Sequence, residues 1–301
     1  MMMNKMTSDE VASFIEDQLQ DWPLAKKNYD ALMCVRRREV NIDGFPVGIQ
    51  WNPGRIGSTG AKVTSQDIEE RPCFLCRDNR PEEQHICNIL PGWEMLVNPY
   101  PILPVHLTIV ATEHRPQSHV PEEIVNMAEL LPGMAVFFNG ARAGASAPDH
   151  MHMQAVLKDE LPLLRLVEEE HPECHPGLCT SEDFSVKPPY LVFSGVVTPD
   201  QDGLKTLLAG LKLGGLSPEG TLTDPELVNT FFWMSESGML RFVVVPRKAH
   251  RPECYYAEGD ERRMISPGCI DMAGLIIAPR LEDYERLTER EIRKIYKEVG
   301  V

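Results

Sequence analysis

Apolar residues recur at helical spacing over residues 8–22. Val11, Phe14, Ile15, Leu19 and Trp22 share one stripe behind Ser8, which predicts an amphipathic helix with Ser8 as its N-cap. The pattern then shortens to β-branched and aromatic runs punctuated by Gly, Pro and Asn. Strands are predicted around Val40–Gln50, Glu94–Val97, Leu107–Ala111, Ala135–Asn139 and Met151–Leu157, with a helix over Glu122–Leu131. From Lys158 to about Gly220 the chain is rich in Pro, Gly and acid and reads as connecting structure. It carries one strand, Tyr190–Val197, and a helix near Leu204–Leu211. Strand patterns resume at Thr230–Met234, Leu240–Pro246 and Met272–Pro279, and a helix closes the chain at Thr288–Val299. The layout is α+β: two halves, residues 1–157 and 158–301, each an antiparallel sheet with packed helices. Both halves end a strand–polar–strand rhythm in a His-bearing turn, Thr112-Glu-His114 and Pro246-Arg-Lys-Ala-His250, as an ancient duplication would leave them.

Composition narrows the function classes. The 301 residues are 43% hydrophobic and 25% charged, ordinary for a globular protein. No apolar run reaches the ~18 residues of a membrane span, and Met1–Met6 leads straight into polar sequence with no secretory signal. A net charge of −15 repels nucleic-acid backbones and anionic membranes, so neither is an expected partner. An anionic substrate would need a local cluster of Arg, amides or metal set against that field. Eight cysteines include one tight pair, Cys73 and Cys76, which points to reduced thiols, a metal site and a cytoplasmic location.

The chemistry concentrates in Phe138–Gln154. On a strand His150, His152 and Gln154 project from one face, successive neighbours about 7 Å apart. Upstream, Gly140, Gly144 and Ser146 make a flexible turn whose amides and hydroxyl can cradle a phosphate. A neutral imidazole beside a phosphate is a competent nucleophile on phosphorus. Gln154 can hydrogen-bond a phosphoryl oxygen but cannot titrate. The pair Cys73-x-x-Cys76 presents two thiolates as tetrahedral zinc requires. His114 and His150 stand at the ends of neighbouring predicted strands as further ligands, and His106 competes for the third position. His171-Pro-Glu-Cys174-His175-Pro-Gly-Leu-Cys179 also has metal-like spacing, though a solvated turn explains it as well. Cys254 and Cys269 read as core or loop thiols and Asp271 as a structural polar group; Arg247 and Lys248 read as exposed charge at a strand end, with reach to a substrate phosphate as the alternative.

These segments resemble the histidine-triad superfamily, in particular the branch containing galactose-1-phosphate uridylyltransferase, diadenosine tetraphosphate phosphorylase and GDP-L-galactose phosphorylase. Trp51-Asn-Pro-Gly-Arg55 resembles the transferases' entry motif and Cys73-Phe-Leu-Cys76 their zinc pair. Asn98 with His106 and His114 resembles the superfamily's proline-containing loop and distal histidine, and Asn139–Gln154 the active-site signature. Phe242–Arg247 and Ile265–Gly274 resemble the phosphorylases' second half. The resemblance implies a histidine-triad-like fold whose second half completes the substrate pocket. It implies His152 as the nucleophile that takes up a nucleotidyl group. Gln154 and Ser146 then hold the reacting phosphate, Asn98 lies toward the nucleoside, and Arg55, Asn139 and Gly144 lie toward phosphates. Cys73, Cys76, His114 and His150 hold a structural zinc. Hydrolytic members carry a third His where Gln154 stands; without that titratable group the intermediate survives to meet an acceptor. Ala145, where uridylyltransferases have Cys, points to the phosphorylase side, and Pro148-Asp149 inserts a residue before His150.

The expected activity is therefore nucleotidyl transfer. A nucleotide sugar or dinucleoside polyphosphate donates a nucleoside monophosphate to phosphate or a sugar phosphate, and relatives pair into homodimers through a sheet edge. A hydrolase on the same substrates and a non-catalytic nucleotide-binding protein are the alternatives.

Overall fold

The computed structural model describes residues 5–61, 64–171, 177–198, 205, 208–209 and 224–301. Helix Ser8–Asp21 forms where the apolar stripe demands it. Its cap is Thr7, one residue earlier than expected, because Glu10 stands three positions on and closes a capping box with Thr7. Helix Pro23–Leu32 follows with Pro23 in its first turn.

The region expected as one strand, Val40–Gln50, is a hairpin of β1 (Arg36–Ile42) and β2 (Phe45–Trp51). The reversal sits at Asp43-Gly44, with φ of 54° and 95°, the left-handed pair a tight two-residue hairpin needs. A parallel partner for β2 comes from the far end of the chain, β12 (Leu275–Ala278).

The remaining strands are β3 (Cys87–Leu90), β4 (Trp93–Val97), β5 (His106–Ala111), β6 (Met134–Asn139), β7 (His152–Leu157), β8 (Gly177–Thr180), β9 (Phe193–Val197), β10 (Val228–Met234) and β11 (Leu240–Pro246). They form one sheet in the order β3-β4-β5-β7-β6-β10-β11-β9-β8. Every pairing in it is antiparallel. The strands of the two halves thus meet edge to edge where β6 pairs with β10, with Asn139 opposite Asn229.

Both faces of this sheet are covered. On one, the three-stranded sheet and helices Pro162–Glu170 and Glu289–Val299 pack over Phe137, Phe231, Trp233 and Val243. On the other, helices Ser8–Asp21 and Ile124–Leu130 pack over Met95, Ile109, Met153 and Phe232. Burial on both faces explains why β5 and β6 read as apolar runs with little alternation. The buried polar residues His106 and Thr108 of β5, Asn139 of β6 and His152 of the neighbouring β7 are therefore exceptions that need partners.

The stretch expected as connecting structure contains the amphipathic helix Pro162–Glu170, which buries Leu163, Leu164, Leu166 and Val167. Its start is set by Pro162 at the first helical position, a signal the surrounding acid and proline obscure. The expected helix near Leu204–Leu211 falls largely outside the described residues. No described helix is long and apolar enough to cross a membrane.

Candidate functional site

The loop around Cys73 and Cys76 folds against the end of β5 and the turn before β7. This brings one ligand atom each from Cys73, Cys76, His114 and His150 within 4.8 Å of one another. Cys73 Sγ lies 3.3 Å and Cys76 Sγ 3.5 Å from His150 Nδ1, and Cys76 Sγ lies 3.2 Å from His114 Nδ1. Tetrahedral bonds of about 2.3 Å to sulfur and 2.0–2.1 Å to nitrogen put such neighbours roughly 3.5 Å apart, so the donor set and its spacing fit a four-coordinate metal ion. His150 donates its other N–H, from Nε2, to the Ala111 carbonyl at 2.8 Å, which leaves the Nδ1 lone pair turned to the cluster. Burial pushes the Cys73 thiol up to about 11, a penalty that a cation offsets by binding the thiolate.

Two ion pairs fix the loop. The buried Arg80 bonds Glu94 at 2.6 Å and the Leu75 carbonyl at 2.8 Å. Arg71 bonds Asp149 at 2.9 Å, so the residue inserted before His150 ties the turn before β7 to the cysteine loop.

His152 opens β7 and is 3% exposed. Its Nδ1–H donates to the His150 carbonyl at 2.8 Å, which places the lone pair on Nε2, an atom without a hydrogen-bond partner among the described residues. Burial lowers its pKa to about 4, so the ring is neutral at pH 7. Gln117, which sequence reasoning passed over, clamps the position. Its Oε1 accepts the His152 N–H at 2.8 Å, and its amide donates to the carbonyls of His152 and Asn139, both at 2.9 Å. Nothing in the sequence distinguishes Gln117 from an ordinary loop polar residue.

Two residues on, Gln154 shares the face of His152. His106, which competed for the metal, is not a ligand: its backbone pairs opposite Val156, and its ring bonds Gln154 instead. His106 Nδ1 accepts the Ile102 N–H at 3.1 Å, so its Nε2 carries the proton and donates to Gln154 Oε1 at 2.7 Å. The Gln154 amide is thereby oriented with its NH2 as the free end. Burial holds the His106 pKa down to about 3, which keeps this arrangement intact at neutral pH.

Gln154 opens onto a cleft of about 650 Å³, mouth included, whose walls also contain Arg55, Asn139, Gly144 and Ser146. Asn139 Oδ1 accepts from Asn229 at 3.0 Å and from the Cys269 N–H at 2.7 Å, so its NH2 is the end left for a ligand. Asn229 is held in turn by Arg247, 2.5 Å away. Arg247 was expected as exposed charge. It is 3% exposed and donates to Asn229 and to four carbonyls, those of Val299, Pro267, Ala249 and His250, because the closing helix covers the end of β11.

Gly144 has φ of 100°, and a Cβ there would lie 2.5 Å from Gly268 Cα, so the Ser146 loop touches the second half directly. Asp271 lines the cleft, yet both its oxygens are taken by backbone N–H groups of Gly268 and Ile277. Burial raises its pKa to about 6.

Of the expected site residues, Arg55, Asn139, Gly144, Ser146 and Gln154 line the cleft, and the four metal ligands converge beside it. His152 lies on the Gln154 strand face without lining the cleft, and Asn98 stands outside it, its amide on the Thr108 hydroxyl at 3.1 Å. His171 is buried against Ser194 and Arg241; Cys174 and His175 lie outside the described residues.

Residues 14–157 match a family model described as "Domain of unknown function (DUF4922)". None of the curated proteins matches the sequence. Among solved structures, yeast Ap4A phosphorylase Apa2 in complex with Ap4A is 17% identical with a TM-score of 0.62, over 96% of this chain and 97% of that one. The same enzyme in complex with AMP is 16% identical with a TM-score of 0.59, over 96% of each chain. A further Apa2 crystal structure gives 16% identity and a TM-score of 0.56, over 92% of this chain and 97% of that one. This chain therefore has the histidine-triad-like α+β fold of that phosphorylase.

Proposed function

We propose that the protein is a nucleotidyltransferase of the phosphorylase kind. It moves a nucleoside monophosphate from a dinucleoside polyphosphate or nucleotide sugar to phosphate or a sugar phosphate, with His152 as the covalent carrier. The observation that carries the reading is the His152 tautomer: Nδ1–H is spent on the His150 carbonyl, and Nε2 is left with its lone pair on a residue that shares a strand face with Gln154. In the first step Nε2 bonds to the α-phosphorus while the bond from that phosphorus to the bridging oxygen breaks, and the leaving phosphate ester takes the electron pair. In the second, an acceptor phosphate oxygen bonds to the same phosphorus, and the P–N electron pair returns to Nε2. Two inversions retain configuration at phosphorus.

Gln154 and Asn139 offer N–H donors where negative charge develops, and Ser146 offers its hydroxyl. Zinc held by Cys73, Cys76, His114 and His150 is structural, cross-linking the loop to the strand end whose His150 carbonyl sets the His152 tautomer.

Hydrolysis is disfavoured by what surrounds Gln154. Its carboxamide is held by a neutral His106, so no group at that position takes a proton from water. The Ap4A phosphorylase fold agrees with transfer to phosphate.

The test is intact-protein mass spectrometry after incubation with a panel of nucleotide sugars and dinucleoside polyphosphates without acceptor. A gain of one nucleoside monophosphate, absent in His152→Ala and discharged by phosphate, is expected. No adduct with any donor, or an equal adduct on His152→Ala, refutes the reading.

A further inference from the structure

Pro99, Pro101 and Pro104 bring no N–H to the loop between β4 and β5, so its carbonyls are met from outside. Four in succession are held by side chains of other elements: Pro99 by Asn28 at 2.7 Å, Tyr100 by Arg55 at 2.6 Å, Pro101 by Asn52 at 3.0 Å and Ile102 by Gln50 at 3.0 Å. Asn52 is 3% exposed and directly follows β2, where its own N–H bonds the Ala278 carbonyl of the second half at 3.0 Å. Neither Asn52 nor Gln50 lines the cleft. The Asn52 contact differs from its neighbours in what lies at the other end of the same peptide. The Pro101 carbonyl and the Ile102 N–H belong to one planar unit and point in opposite directions. That N–H is the one that bonds His106 Nδ1, at 3.1 Å. Asn52 Nδ2 holds one end of the peptide, and the other end is thereby aimed at the imidazole.

A neutral histidine carries its proton on either nitrogen, and the hydrogen bond at one decides the state of the other. For His106 the second arrangement has a partner in place, since the Asn98 amide lies 3.5 Å from Nε2. With the 101–102 peptide turned over, its carbonyl would face Nδ1, the proton would sit there, and Nε2 would accept. Gln154 would then give its NH2 to His106 and turn its oxygen toward the reacting phosphate, a repulsive contact. We propose that Asn52 is a positioning residue: by holding the Pro101–Ile102 peptide it selects the His106 tautomer, and so decides which end of the Gln154 amide meets the phosphate. The consequence for rate rests on the transfer reading; the choice of tautomer does not.

The experiment is nitrogen NMR of the full chain, isotopically labelled at its histidine nitrogens, with the His106 signals identified by their loss in His106→Asn. It compares wild type with Asn52→Leu, which keeps the bulk without the donor, and with Asn52→Ala as the second variant. Gln50→Met is the matched control, because it frees the next carbonyl, on a peptide whose N–H belongs to Leu103. Wild type and Gln50→Met should show His106 with Nε2–H alone, and the Asn52 variants should show the Nδ1–H form as well. Single-turnover adduct formation in the Asn52 variants should slow by at least about ten-fold at undiminished amplitude. A variant that is merely less folded loses amplitude and keeps its rate. Asn52 variants that retain Nε2–H alone, a Gln50→Met that shifts the tautomer equally, or a shifted tautomer with an unchanged adduct rate overturns the proposal. A shifted tautomer in the Asn52 variants with no adduct on wild type refutes the transfer reading alone.

Discussion

Replacing His106 by Asn isolates the contribution of a buried neutral imidazole. His106 has a folded pKa of about 3 against 6.5 for an ordinary histidine, because burial disfavours its charge. A histidine depressed in this way contributes stability that is present above pH 6.5 and lost as pH falls toward 3, since the unfolded chain binds the proton first. Between pH 7 and pH 5 that linkage removes about 2 kcal/mol from the wild type and nothing from a variant lacking the group. Asp271 acts oppositely: its pKa, raised to about 6, adds stability below that value. It is present in both proteins and cancels in the comparison, as do the metal-site histidines. Urea unfolding of both proteins at the two pH values gives the double difference. The gap between wild type and His106→Asn should shrink by about 2 kcal/mol on acidification. A gap that stays constant would mean His106 is not held neutral by burial, and the fixed orientation of Gln154 would lose its basis.

The relay behind Asn139 is tested by Asn229→Ala, which removes the donor to Asn139 and leaves Arg247 short of an acceptor. Stability should fall by about 2 kcal/mol in denaturant titration, and single-turnover adduct formation should slow more than ten-fold even where the protein remains folded. Elemental analysis should find one metal ion per chain, lost in Cys76→Ser or on treatment with a chelator. The adduct should disappear with it, because the His150 carbonyl loses its anchor. Gly144→Ala meets both a positive φ and a 2.5 Å contact, so thermal unfolding should drop by several degrees, and an unchanged Tm would contradict the packing of the Ser146 loop on Gly268. As a control, Arg293→Ala breaks an exposed pair with Asp43 and should move Tm by no more than about 1 °C.

The parts of the site carried by local spacing were legible. Cys73-x-x-Cys76 and the His152, Gln154 alternation state their geometry in a few residues, while His150, expected on the same strand face, stands in the turn before β7 and joins the cysteines and His114 in the four-residue cluster. Strands β4 to β7 and β11 were readable because their apolar runs are set off by Gly, Pro and Asn in the segments between them. What escaped was either tertiary or masked by composition. The hairpin at Asp43-Gly44 carried a two-residue turn signal inside one apolar run and was read through. Helix Pro162–Glu170 hid in acid-rich sequence although Leu163, Leu164 and Val167 keep helical spacing. The burial of Arg247 depends on the last residue of the closing helix, Val299, 52 residues later, covering the strand end, which no local pattern announces.

His106 shows why a histidine's role cannot be read from its neighbours in the chain. It had the position and chemistry of a metal ligand, and on strand spacing nothing separated it from His114. The register decides: β5 sets its backbone opposite Val156 with Thr108 opposite Gln154, and its ring reaches Gln154 on the neighbouring strand β7. His114 lies just past the end of that strand, where the chain is free to turn toward the cysteines. The same strand thus supplies the ring that orients the Gln154 amide and leads into His114 of the Cys73, Cys76, His114, His150 cluster. The second half enters by the same logic, since the pairing of Asn139 with Asn229 lets β10 and Arg247 fix a first-half side chain. A strand of the candidate site built this way gains its precision from sheet register, so changes at Asn229 or Gln117, neither of which lines the cleft, act on the same residues as changes at the site itself.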